Sequence, residues 1–71
     1  MPIAAILALA PIAAQYGPVA VQAVGAIIGL VEKLIQDGRQ TSTAQENAAL
    51  QQTLAALNIA DADFDLAFNG V

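Results

Sequence analysis

The sequence predicts an all-α protein of two or three short helices, preceded by an apolar segment that prolines interrupt. Apolar residues recur at helical spacing from position 18 onward, and prolines and glycines stand at the ends of the periodic runs. A helix-starting motif also precedes position 44. We therefore predict helices at about residues 18–36 and 44–58, with residues 62–69 as the third.

The N-terminal segment carries three prolines, Pro2, Pro11 and Pro18. Proline is tolerated in the first turn of a helix, but in the interior it removes a backbone hydrogen bond and clashes with the preceding turn. We therefore expect a short apolar stretch at residues 3–10, a break or kink at Pro11, and a turn at Gly17 and Pro18.

The longest periodic run begins at Pro18, which suits a first helical position, and ends at Gly38, which suits a left-handed cap. One apolar face follows the i, i+3, i+4, i+7 spacing of a helix and contains Ala20, Val24, Ile27, Ile28, Val31, Leu34 and Ile35. The opposite stripe begins with small residues and becomes polar, while apolar residues fill the flanks. A helix that is apolar nearly all round is buried, in protein or in lipid.

Gly25 and Gly29 form a G-x-x-x-G pattern within this run. Two glycines four residues apart leave one helix face without side chains, so that a second backbone can approach closely. The alternative is that the glycines mark a kink or only reflect a composition rich in small residues. We predict a helix-packing interface that comprises Val24, Gly25, Ile27, Ile28, Gly29, Val31, Leu34 and Ile35.

The second helix begins with a capping box, in which Thr43 and Glu46 each satisfy the other's free backbone N–H. Leu50, Leu54 and Leu57 then recur at helical spacing and predict a narrow apolar stripe. Because the remaining positions are mostly polar or alanine, this helix is expected to be amphipathic.

The acidic tail has two interpretations. The alternation of aspartate with apolar residues over positions 61–66 suits a short strand, and it equally suits a final helix with Asp61 at its cap. We favour the helix, because an isolated strand would have no partner. Phe64 and Phe68 then share one face and are expected to make the contacts of the tail.

The chain divides into an apolar helical segment at residues 1–38, a polar loop at 39–43, and an amphipathic helix with an acidic tail at 44–71. The first 31 residues contain no ionisable side chain. The whole chain has two basic residues and a formal net charge of −4. It therefore has almost nothing with which to neutralise a phosphate backbone, and nucleic acid is not expected as a partner.

No catalytic signature is present. The chain has no cysteine and no histidine, and it lacks a glycine-rich phosphate loop. Asp61, Asp63 and Asp65 have the spacing of the first half of an EF-hand loop, but Leu66 stands where that loop needs glycine. We expect no enzymatic activity, no cofactor, no metal and no small-molecule substrate.

Size and composition together predict a protein that depends on a partner surface. A chain of 71 residues buries only about 60% of its unfolded surface on folding. Hydrophobic residues make up 58% of this chain and charged residues 11%, against about 25% charged in average soluble domains. We therefore expect it not to be self-sufficient as a globular monomer.

Two roles fit these properties. The preferred one is a non-enzymatic structural subunit of a larger multi-copy assembly, virion-like, such as a minor component of a phage particle. Its apolar N-terminal half would be buried against copies of itself, other subunits, or both. The alternative is a small protein of the bacterial inner membrane, holin-like, pore-forming or toxin-like, that inserts residues 18–36 into the bilayer.

Length and charge decide between these roles only weakly. A helix over residues 18–36 is about 28 Å long, close to the roughly 30 Å hydrocarbon thickness of a bilayer. The gain from its large apolar residues is nearly offset by Gln22, the glycines and the Glu32–Lys33 pair, so insertion is marginal. Small lytic membrane proteins also tend to have basic tails, and this tail is acidic.

Overall fold

A computed structural model describes residues 1–59 and 62–69, and over these residues the protein is all-α, as predicted. The helices are α1 (Ile3–Leu7), α2 (Leu9–Ala13), α3 (Ala20–Gln36), α4 (Ala44–Ala56) and α5 (Ala62–Asn69), and a 3-10 turn at Gly17–Val19 leads into α3. Asp61, the predicted cap of the last helix, lies outside the described residues. The three predicted helices are therefore confirmed, with ends displaced by up to two residues.

The prediction of a break at Pro11 is wrong. Helix α2 runs through Pro11 as its third residue, and the discontinuity lies at Ala8 between α1 and α2. Because proline has no N–H, the carbonyl of Leu7 one turn earlier loses its partner, and the interruption shows there. Pro11 thus stands in the first turn of a helix, where proline is tolerated.

Helix α3 ends as predicted at Gly38, which adopts a φ of +68°. The Gly38 N–H donates to the Ile35 carbonyl at 3.1 Å, and the Arg39 N–H donates to the Leu34 carbonyl at 2.9 Å. This pair of bonds is the Schellman motif, which satisfies carbonyls that the helix end leaves free. It turns the chain sharply toward α4.

Helix α4 begins and ends with specific caps. The Thr43 hydroxyl accepts from the Glu46 N–H at 3.1 Å, and the Glu46 carboxylate accepts from the Thr43 N–H at 2.9 Å, which confirms the capping box. At the other end Asn58 has a φ of +60° and Ile59 N–H donates to the Leu54 carbonyl at 3.1 Å. A second Schellman motif therefore ends α4, with asparagine in the position that usually holds glycine.

The core lies around α3, which packs against α1 and α2 on one side and against α4 on another. The buried side chains are Ile6, Leu9, Ala13, Ala23, Ile27, Val31, Leu34, Leu50, Leu54, Ile59 and Phe64. No polar or charged side chain among the described residues is buried. The radius of gyration is 11.2 Å, close to the roughly 11 Å of a compact domain of this length. The predicted dependence on a partner concerns free energy and stays a prediction.

The start of the chain is attached to the loop after α3. The Ile3 N–H donates to the Gln40 carbonyl at 3.0 Å, and the Ser42 N–H donates to the Met1 carbonyl at 2.8 Å. These two bonds flank an antiparallel bridge between Pro2 and Thr41. We call this pairing of residues 1–3 with 40–42 the strap.

Candidate interaction surface on α3

The residues predicted to form one apolar face of α3 lie on two different sides of the folded chain. Ile27, Val31 and Leu34 are buried in the core, together with Ala23. Ile28 and Ile35, which the sequence assigns to the same face, are 41% and 63% exposed. The predicted face therefore needs correction, because only part of it faces the core. The helix is apolar nearly all round, so periodicity alone does not fix its rotation.

A second stripe of α3 residues points away from the core. It is apolar except for Glu32, and it includes residues outside the predicted face. We call Val21, Gly25, Ile28, Glu32 and Ile35 the outer face of α3; all five are exposed. Their spacing of 4, 3, 4 and 3 residues is that of a coiled-coil seam over two heptads. Val21 is the most exposed large apolar side chain of the described chain, at 82%.

The two glycines of the G-x-x-x-G pattern contact no other helix in the described part of the chain. A Cβ atom placed on Gly25 or Gly29 would meet no heavy atom within 4 Å apart from the helix itself. The fully buried small residues are instead Ala13 on α2 and Ala23 on α3, two helices that pack together. The glycines therefore make no helix contact among the described residues, and their predicted contact with a partner helix stays a prediction.

A shallow groove of about 420 Å³ lies beside the N-terminal half of the outer face. It is lined by Ala14, Ala20, Val21, Val24, Gly25 and Ile28. Four of these are at positions i, i+3, i+4 and i+7 of α3, which is the set that surrounds one inserted side chain in knobs-into-holes packing. The absence of a side chain at Gly25 opens the middle of this set.

The other predicted contact residues all turn toward the core. On α4, Leu50 and Leu54 are buried and Leu57 is half-buried. On α5, Phe64 is buried and its ring centroid lies 6.5 Å from that of Tyr16, while Phe68 is half-buried against the core. These side chains therefore close the chain's own fold and leave the outer face of α3 as its large apolar surface.

Both basic side chains of the protein converge on Glu46. Arg39 donates from its two terminal nitrogens to the two Glu46 oxygens, each at 2.9 Å, and Lys33 Nζ lies 3.4 Å from Glu46 Oε2. Arg39 also donates to Asp37 at 3.0 Å. The hydrogen bonds from Arg39, followed by that from the Thr43 N–H, lower the pKa of the Glu46 carboxyl to about 2. The hydrogen bonds to Glu46 and to Asp37 raise the pKa of the Arg39 guanidinium further above its ordinary value.

This ion-pair cluster joins the end of α3 to the start of α4, and it engages both basic side chains of the protein. A hollow of about 220 Å³ between the two helices is bordered by Lys33, Glu46 and Thr53, with apolar residues making up the rest. The Thr53 hydroxyl donates to the Ala49 carbonyl at 3.0 Å, within its own helix. The polar groups at this hollow are thus engaged with the protein itself, which indicates a structural role.

Metal binding and membrane insertion are two further functions to which the described residues are relevant. No group of three or more acidic, cysteine or histidine side chains is placed to hold a metal ion among residues 1–59 and 62–69. One helical segment there, Gly17–Gln36, is long and apolar enough to cross a membrane, with a mean hydropathy of 1.7 over a window of which 22% is buried. A core helix or a signal sequence has the same properties, so this is weak support for a membrane role.

Comparison with protein-family profiles, curated proteins and solved structures yields no match for this chain.

Proposed function

We propose that this protein is a non-enzymatic structural subunit of a larger multi-copy assembly, such as a virus particle. It acts by burying the outer face of α3 against helices of its partners, which are copies of itself, other subunits, or both. The observation that supports the proposal is the exposure of Val21, Ile28 and Ile35 on one side of a helix whose other side forms the core. Large apolar side chains exposed together on one side of a helix often mark an interface, and here only Glu32 interrupts the row.

The groove beside Gly25 adds a second argument for a protein partner. Its lining is apolar, and Gly25 contributes no side chain to it. Lipid chains are fluid and need no such shaped recess, whereas an inserted side chain of a partner helix does. The surface thus has the local form that helix packing requires.

The charge distribution argues against two other kinds of partner. Lys33 and Arg39 are the only basic residues in the sequence, and both pair with Glu46. Neither nucleic acid nor an anionic lipid surface would find an unpaired cationic patch here, and both depend on one.

The membrane role remains the second candidate, because Gly17–Gln36 has the length and hydropathy of a span. Insertion of α3 would separate it from α1, α2 and α4 and would expose to lipid or to other helices the residues that now form the core. It would also place the Glu32–Lys33 pair near the hydrocarbon boundary, at a cost. The folded chain is therefore better suited to a protein partner.

A pair of matched variants tests the proposal. Ile28→Asp places a charge in the outer face, and Leu66→Asp places one at an exposed leucine of α5, outside that face. We expect untagged wild-type protein and Leu66→Asp, loaded at high concentration, to elute from size-exclusion chromatography as oligomers or complexes larger than a monomer, and Ile28→Asp to be lost from them. Equal assembly of all three proteins would contradict the proposal.

Vesicle flotation distinguishes the membrane candidate. Purified protein is mixed with vesicles of phosphatidylcholine, or of phosphatidylcholine with phosphatidylglycerol, and separated on a density gradient. We expect it to remain with the soluble fraction in both cases. Flotation that persists at high salt would favour the membrane role instead.

A further inference from the structure

We infer that the outer face of α3 binds a second copy of this chain as an antiparallel, two-fold symmetric helix pair, in which Ile28 of each copy enters the groove over Gly25 of the other. This inference rests on the proposed function, since it names the partner and the geometry of the same surface. Three properties of α3 support it: the shape of the groove, the symmetry of the seam and the position of Glu32.

The groove and its occupant are both on the outer face. The hole is formed by Val21, Val24, Gly25 and Ile28, and Ile28 is itself 41% exposed, so its side chain is available to a second copy. When two copies of α3 run antiparallel and cross near residue 26, Ile28 of each lies level with Gly25 of the other. One contact is then made twice, as a closed two-fold interface requires.

Charge favours the antiparallel arrangement over the parallel one. In a parallel pair the two Glu32 side chains would face each other across the seam, and like charges so placed repel. In the antiparallel pair Glu32 lies level with Val21 of the other copy, and the two glutamates are then about 16 Å apart along the pair.

The extent of the seam sets the expected strength. Helix α3 has 17 residues and is therefore about 25 Å long. A single helix face of this length is at the small end of specific interfaces, which bury about 1,200–2,000 Å² in total. The pair is thus expected to form reversibly and to dissociate on dilution.

Cysteine cross-linking tests the arrangement, and the natural chain contains no cysteine to interfere. Val21→Cys and Glu32→Cys are both at exposed positions. They are 11 residues apart, about 16 Å along the helix, whereas a disulfide needs Cα atoms about 4.4–6.8 Å apart. We expect a mixture of the two variants to form the mixed 21–32 dimer on mild oxidation, and neither variant alone to form a covalent dimer.

A parallel pair would give the opposite result, with each variant cross-linking to itself and no mixed product. That result would overturn the inference, and so would a wild-type chain that stays monomeric at millimolar concentration in sedimentation equilibrium. Either outcome leaves the proposed function open to a different helical partner, because the assembly test with Ile28→Asp is independent of the geometry of a homodimer.

Two glycine variants test the groove itself. Gly25→Leu fills the groove, and Gly29→Leu makes the same change at an exposed position of α3 that does not line it. A Cβ atom meets open space at both sites, so both monomers are expected to fold. We expect Gly25→Leu to raise the dimer dissociation constant about tenfold or more, and Gly29→Leu to leave it within about threefold. An equal loss from both variants would mean that the glycine stripe, and not the groove, makes the contact.

Discussion

Arg39 and Glu46 form a bidentate ion pair that joins the end of α3 to the start of α4, with both nitrogen–oxygen distances at 2.9 Å. Glu46 simultaneously closes the capping box with Thr43. A single carboxylate therefore begins one helix and attaches it to the preceding one. Because paired guanidinium–carboxylate bonds are directional, this contact fixes the angle at which α4 leaves the loop.

The lowered pKa of Glu46 predicts a loss of stability in acid. Above about pH 4.5 the carboxylate is ionised in the folded and unfolded states alike, and the full contribution is present. As the pH falls from 4.5 to about 2, the unfolded state takes up a proton first, so this contribution declines and is lost near pH 2. Glu46→Gln should reduce the dependence of the free energy of unfolding on pH over this range, as measured by urea titration at each pH. Arg39→Gln should flatten it similarly, and a steep profile in both variants would contradict the assignment.

Adjacent isoleucines on α3 give a direct test of its rotation. Ile27 is fully buried and Ile28 is 41% exposed. We expect Ile27→Ala to lower the free energy of unfolding by about 2–5 kcal/mol, and Ile28→Ala by less than about 1 kcal/mol when the chain is monomeric. Denaturant titration at low protein concentration measures both. Equal losses would place the core face midway between the two residues.

The positive φ of Asn58 predicts a stabilising substitution. Glycine adopts this conformation without the steric cost that other residues meet, so Asn58→Gly should raise the free energy of unfolding by up to about 1 kcal/mol, and Asn58→Ala should lower it. Gln52→Gly, in the interior of α4, is the control and should destabilise by about 1 kcal/mol. Thermal unfolding followed by circular dichroism compares them. Destabilisation by Asn58→Gly would mean that the asparagine side chain itself contributes to the cap.

Stability should depend on protein concentration. Association stabilises the folded state by mass action, and a chain of this size has a marginal core of its own. We expect the thermal midpoint of the wild type to rise between micromolar and millimolar concentration and that of Gly25→Leu to stay nearly constant. A monodisperse monomer with a sharp, concentration-independent transition would refute this and the prediction that the chain is not self-sufficient.

Local signals in the sequence were sufficient to predict the three helices from α3 onward, the capping box of α4 and the glycine cap of α3. Thr43 with Glu46, and Gly38 after an apolar run, act through backbone groups a few residues away, so the sequence itself contains both partners of each interaction. The same holds in part for Asn58, since asparagine tolerates the left-handed conformation that ends α4. That signal was present in the sequence, although we placed the end of α4 two residues too late.

The candidate surface could be predicted only in part, because it depends on which side of α3 the rest of the chain covers. Ile28 and Ile35 fit an apolar face by spacing as well as Ile27 and Leu34 do. Their exposure follows from the position of α1, α2 and α4, which no periodicity within residues 18–36 contains. The pairing of Arg39 with Glu46 joins residues across a turn, and it was not predicted for the same reason.

The strap has a consequence for the order in which the chain folds. Helices α2 and α3 are joined by a short turn and can pair early, whereas the bonds at Ile3 and Ser42 close a loop of about 40 residues, whose entropic cost must be met before they form. They are therefore expected to form last and to open first. Amide hydrogens at Ile3 and Ser42 should exchange with solvent deuterium well before those in the middle of α3, through openings that leave the apolar core closed.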